Sequence, residues 1–264
     1  MPQFAANLSL LYNELPFLER FGAAAADGFK AVEFLFPYAH DAHELRHCLQ
    51  NHELQQALFN APPGDWDAGE RGLACLPGRE AEFQASIRQA LRYAAALECP
   101  RIHVMAGIAP ANCNTESLAQ TYVANLRWAA ALAGQEGRQI CIEAINLRDM
   151  PGYFLNRHTQ ALALIAAVDS PHLRLQFDAY HCQVSEGDVS NKLRQAMSLG
   201  VLAHVQIAGA PDRQEPDAGE LRVETLLKLL DELAYPGFVG CEYRPRAGTR
   251  EGLGWLKRWQ AQPR

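Results

Sequence analysis

The fold is decided by a pattern that is clearest in residues 139–178, where QICIE at 139–143 and RLQFD at 174–178 flank a longer helical stretch. Both short segments are rich in apolar residues, and they end on the carboxylates Glu143 and Asp178. A short apolar run that alternates with a longer helical stretch is typical of a strand in a parallel sheet covered by helices. The two segments therefore predict two strand–helix units, and the same pattern continues in both directions along the chain.

Eight strand candidates recur from one end of the sequence to the other. They are Phe4–Leu10, Ala31–Phe36, Leu54–Phe59, Arg101–Ala106, Gln139–Glu143, Arg174–Asp178, Ala203–Ile207 and Phe238–Glu242. Each is followed by a stretch able to form a helix, namely Leu15–Ala26, Asp41–Asn51, Arg79–Leu97, Ser117–Gln135, Thr159–Val168, Asp188–Leu199, Val223–Leu233 and Arg250–Gln260. Asp41 and Thr159 are predicted to cap the helices that begin with them, since both side chains can accept a backbone hydrogen bond.

Eight such units in one order close most naturally into a (β/α)8 TIM barrel, which belongs to the α/β class. The 264 residues of the chain match the about 250 residues that this barrel needs. A doubly wound open sheet is the rival, but it usually carries a GxGxxG turn after an early strand, and the sequence has none. No linker or charge block separates two halves, so we expect a single TIM-barrel domain over residues 1–264.

Composition narrows the class of function. Apolar residues make up 48% of the chain and charged residues 20%, which allows a large core and excludes global disorder. The 24 basic and 30 acidic residues give a net charge of −6, which argues against a nucleic-acid partner. No apolar run approaches the ~20 residues of a membrane helix, so no membrane partner is expected.

The location is predicted from the cysteines and the beginning of the sequence. The seven cysteines are odd in number and form no CxxC pair, which indicates free thiols in a reducing compartment. The sequence begins without a basic stretch followed by a long apolar core, so no signal peptide is predicted. We therefore expect a cytoplasmic protein that acts on a small molecule. Exposed apolar residues on barrel helices would also be compatible with a homo-oligomer.

Polar side chains interrupt the ends of four consecutive predicted strands. Glu143, Asp178 and Glu242 close the fifth, sixth and eighth strands, and Gln206 lies near the end of the seventh. The carboxyl ends of barrel strands build the active site, so these side chains are expected to converge. Oxygen ligands suit a hard divalent cation better than zinc. The pattern therefore predicts a metal site for Mg²⁺ or Mn²⁺ made by Glu143, Asp178, Gln206 and Glu242.

A second group of polar residues lies in the loops beyond these strands. His181 follows Asp178 by three residues and could bind a substrate oxygen, or it could be a capping histidine at the rim. Arg213 is a fixed cation that could pair with a substrate carboxylate, or it could be an exposed loop residue. The loops 60–78 and 208–220 are the longest and are predicted to cover the barrel rim.

Weaker candidates are polar residues whose place is less specific. Glu70 and Arg71 lie in the loop 60–78, and Asn7 and Glu33 lie in the first two strands. His103 and His204 fall inside strand segments and are predicted to be core residues or to support the site. His204 precedes Gln206 by two residues and so projects from the same face of its strand.

Several longer motifs are similar to one family. They are FAANLS at 4–9, VEFLFPY at 32–38, GDWDAGERG at 64–72, HVQIA at 204–208 and GCEY at 240–243. The chain resembles, over essentially its whole length, the hydroxypyruvate isomerase family of xylose isomerase-like TIM barrels. The resemblance extends to a close sibling, 2-oxo-tetronate isomerase.

The resemblance implies an activity and a set of residues. It implies an aldose–ketose isomerase that interconverts hydroxypyruvate and 2-hydroxy-3-oxopropanoate (tartronate semialdehyde) by metal-assisted proton transfer through an enediolate. Glu143 and Glu242 match the acid/base pair, and with Asp178 and Gln206 they match the metal ligands. His181 and Arg213 match positions that contact substrate. The wider group of ketose epimerases has histidine where Gln206 stands.

Other functions remain open at this stage. The sibling 2-oxo-tetronate isomerase, or a related ketose isomerase or epimerase, would use the same site. The same barrel family includes abasic-site endonucleases, which would need a histidine-rich zinc site and a basic groove. A non-catalytic sugar-acid binding protein would keep the pocket without needing two opposed glutamates.

Overall fold

The computed structural model describes residues 2–261, and all eight predicted strands are present there. They are β1 (Gln3–Asn7), β2 (Ala31–Phe34), β3 (Gln55–Asn60), β4 (Arg101–His103), β5 (Gln139–Glu143), β6 (Leu173–Asp178), β7 (Leu202–Ile207) and β8 (Phe238–Cys241). The strands pair in parallel and in chain order, and β8 pairs with β1 to close the barrel. The predicted (β/α)8 barrel is therefore confirmed, while the predicted domain limits of 1–264 include end residues that lie outside the described part.

The helices follow the strands. They are α1 (Glu19–Ala26), α2 (Ala42–Asn51), α3 (Glu80–Leu97), α4 (Thr115–Gln135), α5 (His158–Val168), α6 (Ala179–Ser185), α7 (Val189–Ser198), α8 (Val223–Glu232), α9 (Thr249–Gly252) and α10 (Gly254–Gln260). The last predicted helix is thus two short ones, α9 and α10. None of the helices between residues 2 and 261 is long and apolar enough to cross a membrane.

The short helix α6 is absent from the sequence-based prediction. It begins directly after β6 because the Asp178 carboxylate accepts hydrogen bonds from the backbone N–H groups of Tyr180 (2.7 Å) and His181 (3.1 Å). An aspartate that accepts these two bonds is a strong helix start. The residue that ends the strand therefore also starts the helix, and this places His181 one turn beyond Asp178.

The two predicted helix caps have different outcomes. Asp41 is confirmed, since its carboxylate accepts from the backbone N–H of His43 at 2.8 Å. Thr159 is wrong, because α5 begins one residue earlier and the side chain before it, Arg157, makes no cap. The backbone N–H of His158 instead donates to Glu186 at 2.5 Å. The carboxylate of Glu186, which is distant in sequence, therefore accepts a backbone hydrogen bond at the start of α5, a role that was predicted for Thr159.

The loop 60–78 packs tightly against the end of β4. Gly72 has a φ of +116°, and a Cβ at this position would lie 2.3 Å from the carbonyl oxygen of Met105. Its backbone N–H also donates to the carbonyl of Pro63. Glycine is therefore required both by the backbone angle and by the close approach of a second backbone segment. The contact fixes the base of the loop at the rim of the barrel.

This packing predicts a graded effect of two loop substitutions on stability. Gly69→Ala adds a Cβ at a φ of +94° with no described atom within 4 Å, so it should lower the free energy of unfolding by about 1–2 kcal/mol. Gly72→Ala adds the backbone clash to the same penalty and should cost at least about 1 kcal/mol more. Urea unfolding of both variants measures the difference, and equal losses would show that the contact between Gly72 and Met105 is dispensable.

Candidate active site

The side chains predicted from the strand ends are buried and lie near one another. Glu143 and Asp178 close β5 and β6, and Glu242 follows β8 directly. The guanidinium of Arg213 reaches two of them, with Nη2 at 3.1 Å from Glu242 Oε1 and 3.6 Å from Asp178 Oδ2. His181 Nε2 lies 3.9 Å from both Glu143 Oε1 and Asp178 Oδ2. The structure thus joins all five residues through contacts with Arg213 and His181.

Gln206 lies beside Asp178 in the barrel, since the two residues pair in the register of β6 and β7. Its amide is hydrogen-bonded at both ends. Oε1 accepts from Gln176 Nε2 at 2.6 Å, and Nε2 donates to Glu33 Oε1 at 2.8 Å. An amide oxygen has two lone pairs, so the bond from Gln176 still leaves one. The role of Gln206 as a metal ligand stays a prediction.

The carboxylates repel one another in surroundings that hold little water. Burial raises the pKa of Glu143 well above 4.5, and the charges of Glu242 and Asp178 raise it further. Burial also raises the pKa of Glu242 to about 8, although Arg213 opposes the shift. The pKa of Asp178 rises for the same reason and against the same arginine. One guanidinium is therefore too little positive charge for the three carboxylates.

The unsatisfied atoms at this place fit a cation. Glu143 Oε1 and Asp178 Oδ2 are buried, and within residues 2–261 neither oxygen receives a hydrogen bond. Ligand atoms of Glu143, Asp178 and His181 lie within 4.8 Å of one another. Buried carboxylate oxygens without donors are costly unless a charge compensates them. The two carboxylates therefore suit a hard divalent metal ion with oxygen ligands, while the ring of His181 lies beside them.

His181 presents a hydrogen-bond donor to the same place. The backbone N–H of Asn146 donates to Nδ1 at 3.4 Å, and the side-chain amide nitrogen of Asn146 lies 2.6 Å from the same atom. Burial lowers the pKa of His181 well below 6.5, and the nearby Arg213 lowers it further, so the ring is neutral. Because Nδ1 accepts, the neutral ring carries its proton on Nε2. His181 is thus suited to donate to an oxygen that lies between the carboxylates.

Glu143 contacts His103, which the sequence predicts only as a core or supporting residue, and His103 in turn contacts Asn60. His103 of β4 has its Nε2 3.6 Å from Glu143 Oε2, and its Nδ1 lies 3.2 Å from Asn60 Oδ1. Burial, with a further effect of His204, lowers the pKa of His103 to about 3, so this ring is also neutral. Asn60 could have been identified from the sequence, because it is a polar residue at the carboxyl end of β3.

Arg213 contacts a cluster of residues that we call the rim cluster, Arg148, Asp149, Tyr180 and Pro211. Arg148 Nη2 donates to the Tyr180 hydroxyl (2.9 Å) and to the carbonyl of Pro211 (2.6 Å). The Tyr180 hydroxyl donates to Asp149 Oδ2 at 2.8 Å. The guanidinium of Arg213 lies 5.1 Å from the centre of the Tyr180 ring. These contacts link the loops after β5 and β7 to α6, and none of them was visible in the sequence.

The residues of the loop 60–78 have other partners. Glu70 pairs with Arg79 at 2.7 Å and accepts from the backbone N–H of Asp65 at 2.6 Å, so it stabilises the loop itself. The guanidinium of Arg71 lies 3.7 Å from the centre of the Trp66 ring. It also donates to the carbonyl oxygens of Trp66 (2.9 Å) and Glu70 (2.7 Å). The structure shows no contact of either charged residue with the carboxylates of the site.

The fold and the site together define a (β/α)8 barrel with an acidic, buried centre at the carboxyl ends of its strands. Residues 21–259 match the family model described as xylose isomerase-like TIM barrel. The chain belongs to this family, as the motifs of the sequence predicted.

Individual relatives cover nearly the whole chain. A 2-oxo-tetronate isomerase of Cupriavidus necator is 57% identical over 97% of this chain and 98% of its own length. A hydroxypyruvate isomerase of Escherichia coli is 45% identical with the same coverage of 97% and 98%. The crystal structure of a Brucella melitensis protein named AP endonuclease, family 2, has a TM-score of 0.95 and 46% identity, covering 98% of this chain and 99% of its own.

The shifted pKa of Glu242 predicts how the metal-free protein responds to pH. A carboxyl group whose pKa is raised to about 8 in the folded state holds its proton there while the unfolded chain has lost it. Stability therefore falls as pH rises from about 4.5 to 8, by up to about 1.4 kcal/mol per pH unit for one proton. Glu242→Gln keeps the shape and removes the titration, so wild type should lose stability relative to E242Q as pH rises from 6 to 8.

Urea unfolding in the presence of a chelator measures this difference at each pH. Both proteins contain the same histidines and cysteines, so the titration of these groups cancels when the two free energies of unfolding are subtracted. The exposed Glu232→Gln should show no such pH-dependent gap and serves as the control. A gap between wild type and E242Q that stays constant over this range would contradict the shifted pKa.

Proposed function

We propose that this chain is an isomerase of short 2-oxo acids that carry a hydroxyl group on the neighbouring carbon. Hydroxypyruvate is the first candidate substrate, with 2-hydroxy-3-oxopropanoate as its product, and 2-oxo-tetronate is the second. The observation that supports the proposal is a pair of buried glutamates, Glu143 and Glu242, beside one fixed arginine. The names of the two curated relatives agree with this class of reaction.

The reaction moves one proton between adjacent carbons. In hydroxypyruvate, a proton leaves C3 and one is added at C2, while the hydroxyl proton passes from the oxygen on C3 to the oxygen on C2. Of Glu143 and Glu242, one removes the carbon-bound proton and the other returns a proton to the neighbouring carbon. The raised pKa of both groups supports this role, because such a carboxyl group can hold a proton at a pH where an ordinary glutamate has lost it.

His181 and Arg213 orient the substrate in this proposal. The Nε2 proton of His181 is donated to a substrate oxygen, and its neutral ring adds no charge that would compete for the carboxylates. Arg213 binds the substrate carboxylate. The Nε–H group of Arg213 is buried and has no partner among residues 2–261, so a donor remains although Nη2 contacts Glu242. Arginine presents its donors in a planar fork that matches a carboxylate.

We propose that Glu143, Asp178 and Glu242, together with the oxygen of Gln206, hold a divalent metal, Mg²⁺ or Mn²⁺. When bound, it would supply positive charge that stabilises the negative charge developing on the substrate oxygens. Asp178 contributes to the site with one oxygen, since Oδ1 accepts from the α6 backbone while Oδ2 receives no hydrogen bond within residues 2–261. We also propose that the enzyme works in the cytoplasm on a free small molecule.

An endonuclease is the second candidate, because the similar Brucella protein is named as one. An abasic-site nuclease of this barrel family would need several zinc ions held by histidines and a basic groove for the phosphates. The candidate site instead has three carboxylates, and the chain carries a net charge of −6. Both features favour the isomerase.

The acid/base assignment predicts large losses of turnover in two variants. Glu143→Gln and Glu242→Gln should each lower kcat by about 10²–10⁴, because a positioned acid or base contributes that much. Turnover of hydroxypyruvate and of 2-oxo-tetronate, followed side by side, measures the effect and identifies the better substrate. Glu232→Gln should keep wild-type rates.

The same assay tests the reaction class. In D₂O the product should carry deuterium on the carbon that receives the proton, since the glutamate that returns it exchanges with solvent. A fully active E242Q protein would remove Glu242 from the reaction. Cleavage of abasic DNA without turnover of either acid would replace the isomerase with the endonuclease.

The metal assignment predicts that a chelator abolishes turnover and that Mn²⁺ or Mg²⁺ restores it. Calorimetry should find one Mn²⁺ per chain, and Asp178→Asn should weaken its binding, because the side chain loses its negative charge. Asp217→Asn removes a surface carboxylate outside the site and should bind Mn²⁺ as wild type does. Unchanged affinity in D178N would exclude Asp178 as a ligand.

A further inference from the structure

Glu33 of β2 is a fully buried carboxylate in the interior of the barrel, with 0% of its surface exposed. Three side chains form hydrogen bonds with it. Asn7 Nδ2 (3.0 Å) and Gln206 Nε2 (2.8 Å) donate to Oε1, and His204 Nε2 lies 2.6 Å from Oε2. The carboxylate thus connects β1, β2 and β7 inside the barrel.

Gly240 of β8 makes room for this carboxylate. A Cβ on Gly240 would lie 2.3 Å from Glu33 Oε2 and 2.5 Å from Oε1. The register also pairs Gly240 with Gln206, so the glycine lies beside the residue that Glu33 contacts. The absence of a side chain on β8 therefore lets a carboxylate from β2 reach an amide on β7.

The hydrogen bond to Glu33 fixes the orientation of the Gln206 amide. A carboxylate can only accept hydrogen bonds, so the NH₂ group of Gln206 has to face Glu33. The amide oxygen then faces the other way, and Gln176 Nε2 donates to that oxygen at 2.6 Å. Both partners thus require the same orientation. Gln206 also pairs with Asp178 in the register of β6 and β7, so its backbone lies beside that of the acidic centre.

We propose that Glu33 is a positioning residue that makes Gln206 present its oxygen, and not its NH₂ group, to the cation held by the carboxylates. The inference rests on the metal site of the proposed function. Without the carboxylate, only Gln176 holds the amide, and Gln176 can turn with it because its own Oε1 has no hydrogen-bond partner within residues 2–261. The amide of Gln206 can then place a donor group where an oxygen ligand is needed. A partner that orients a metal ligand in this way typically contributes 10–100-fold to metal affinity or activity.

The test is Mn²⁺ affinity measured by calorimetry in the absence of substrate. Glu33→Gln keeps the size of the side chain but replaces one acceptor oxygen with a donor, so it no longer requires the NH₂ group of Gln206. We expect the Kd for Mn²⁺ to rise about 10–100-fold, with the melting temperature recorded alongside. Gln206→Ala should raise the Kd by a similar factor.

Two further variants separate positioning from packing. Asn7→Ala removes another donor from the same carboxylate without touching Gln206, so its Mn²⁺ affinity should stay within about twofold of wild type. The double variant E33Q/Q206E exchanges the amide and the carboxylate, which restores a matched hydrogen bond and offers a carboxylate oxygen to the metal. Its affinity should be higher than that of either single variant, E33Q or Q206E.

Several results would overturn the proposal. They are a folded E33Q protein with wild-type affinity, an equal loss in E33Q and N7A, and wild-type affinity in Q206A. If E33Q does not fold, the comparison is between Q206E and E33Q/Q206E, and equal Kd values there would overturn it too. Wild-type protein that binds Mn²⁺ but turns over neither acid would remove the proposed reaction and leave this comparison standing.

Discussion

The structure depends on the burial of three carboxylates at one place with a single guanidinium among them. Burial raises the pKa of Glu143, Asp178 and Glu242, and the negative charge of nearby carboxylates raises it further. Such an arrangement costs folding stability, and other elements of the protein are organised to tolerate it. The start of α6 supplies backbone donors to Asp178, and Arg213 lies between Asp178 and Glu242. The remaining negative charge is the reason why a cation fits here.

The neighbours of the carboxylates are neutral for a physical reason. His103 and His181 lie close to acidic groups, and a charged histidine would pair with them at once. Burial nevertheless keeps the pKa of both rings low, so each contributes hydrogen-bonding atoms and no charge. Asn146 determines which nitrogen of His181 accepts, and thereby fixes the proton on the other. The site therefore combines acidic side chains with neutral hydrogen-bonding groups.

The fold and the centre of the site could be predicted from the sequence because their signals are local. Each strand carries its own apolar run, and Glu143 and Asp178 close two of these runs, so chain order alone brings their ends to one rim. Helix α6 was missed because Asp178 was interpreted only as a ligand, although its carboxylate is also a helix start. The contacts of Gln206 could not be predicted, since Glu33 lies 173 residues away and only the closed barrel brings them together.

The rim cluster has a consequence for how the surrounding loops can evolve. Arg148 of the loop after β5 is bonded both to Tyr180 in α6 and to the backbone of Pro211 in the loop after β7. Three successive connections of the barrel thus meet in one hydrogen-bonded unit that also carries Arg213. A change in the length of one of these loops would displace the arginine unless the others changed with it. The inheritance of these three segments is therefore expected to be linked, and a chimera would have to transplant them together.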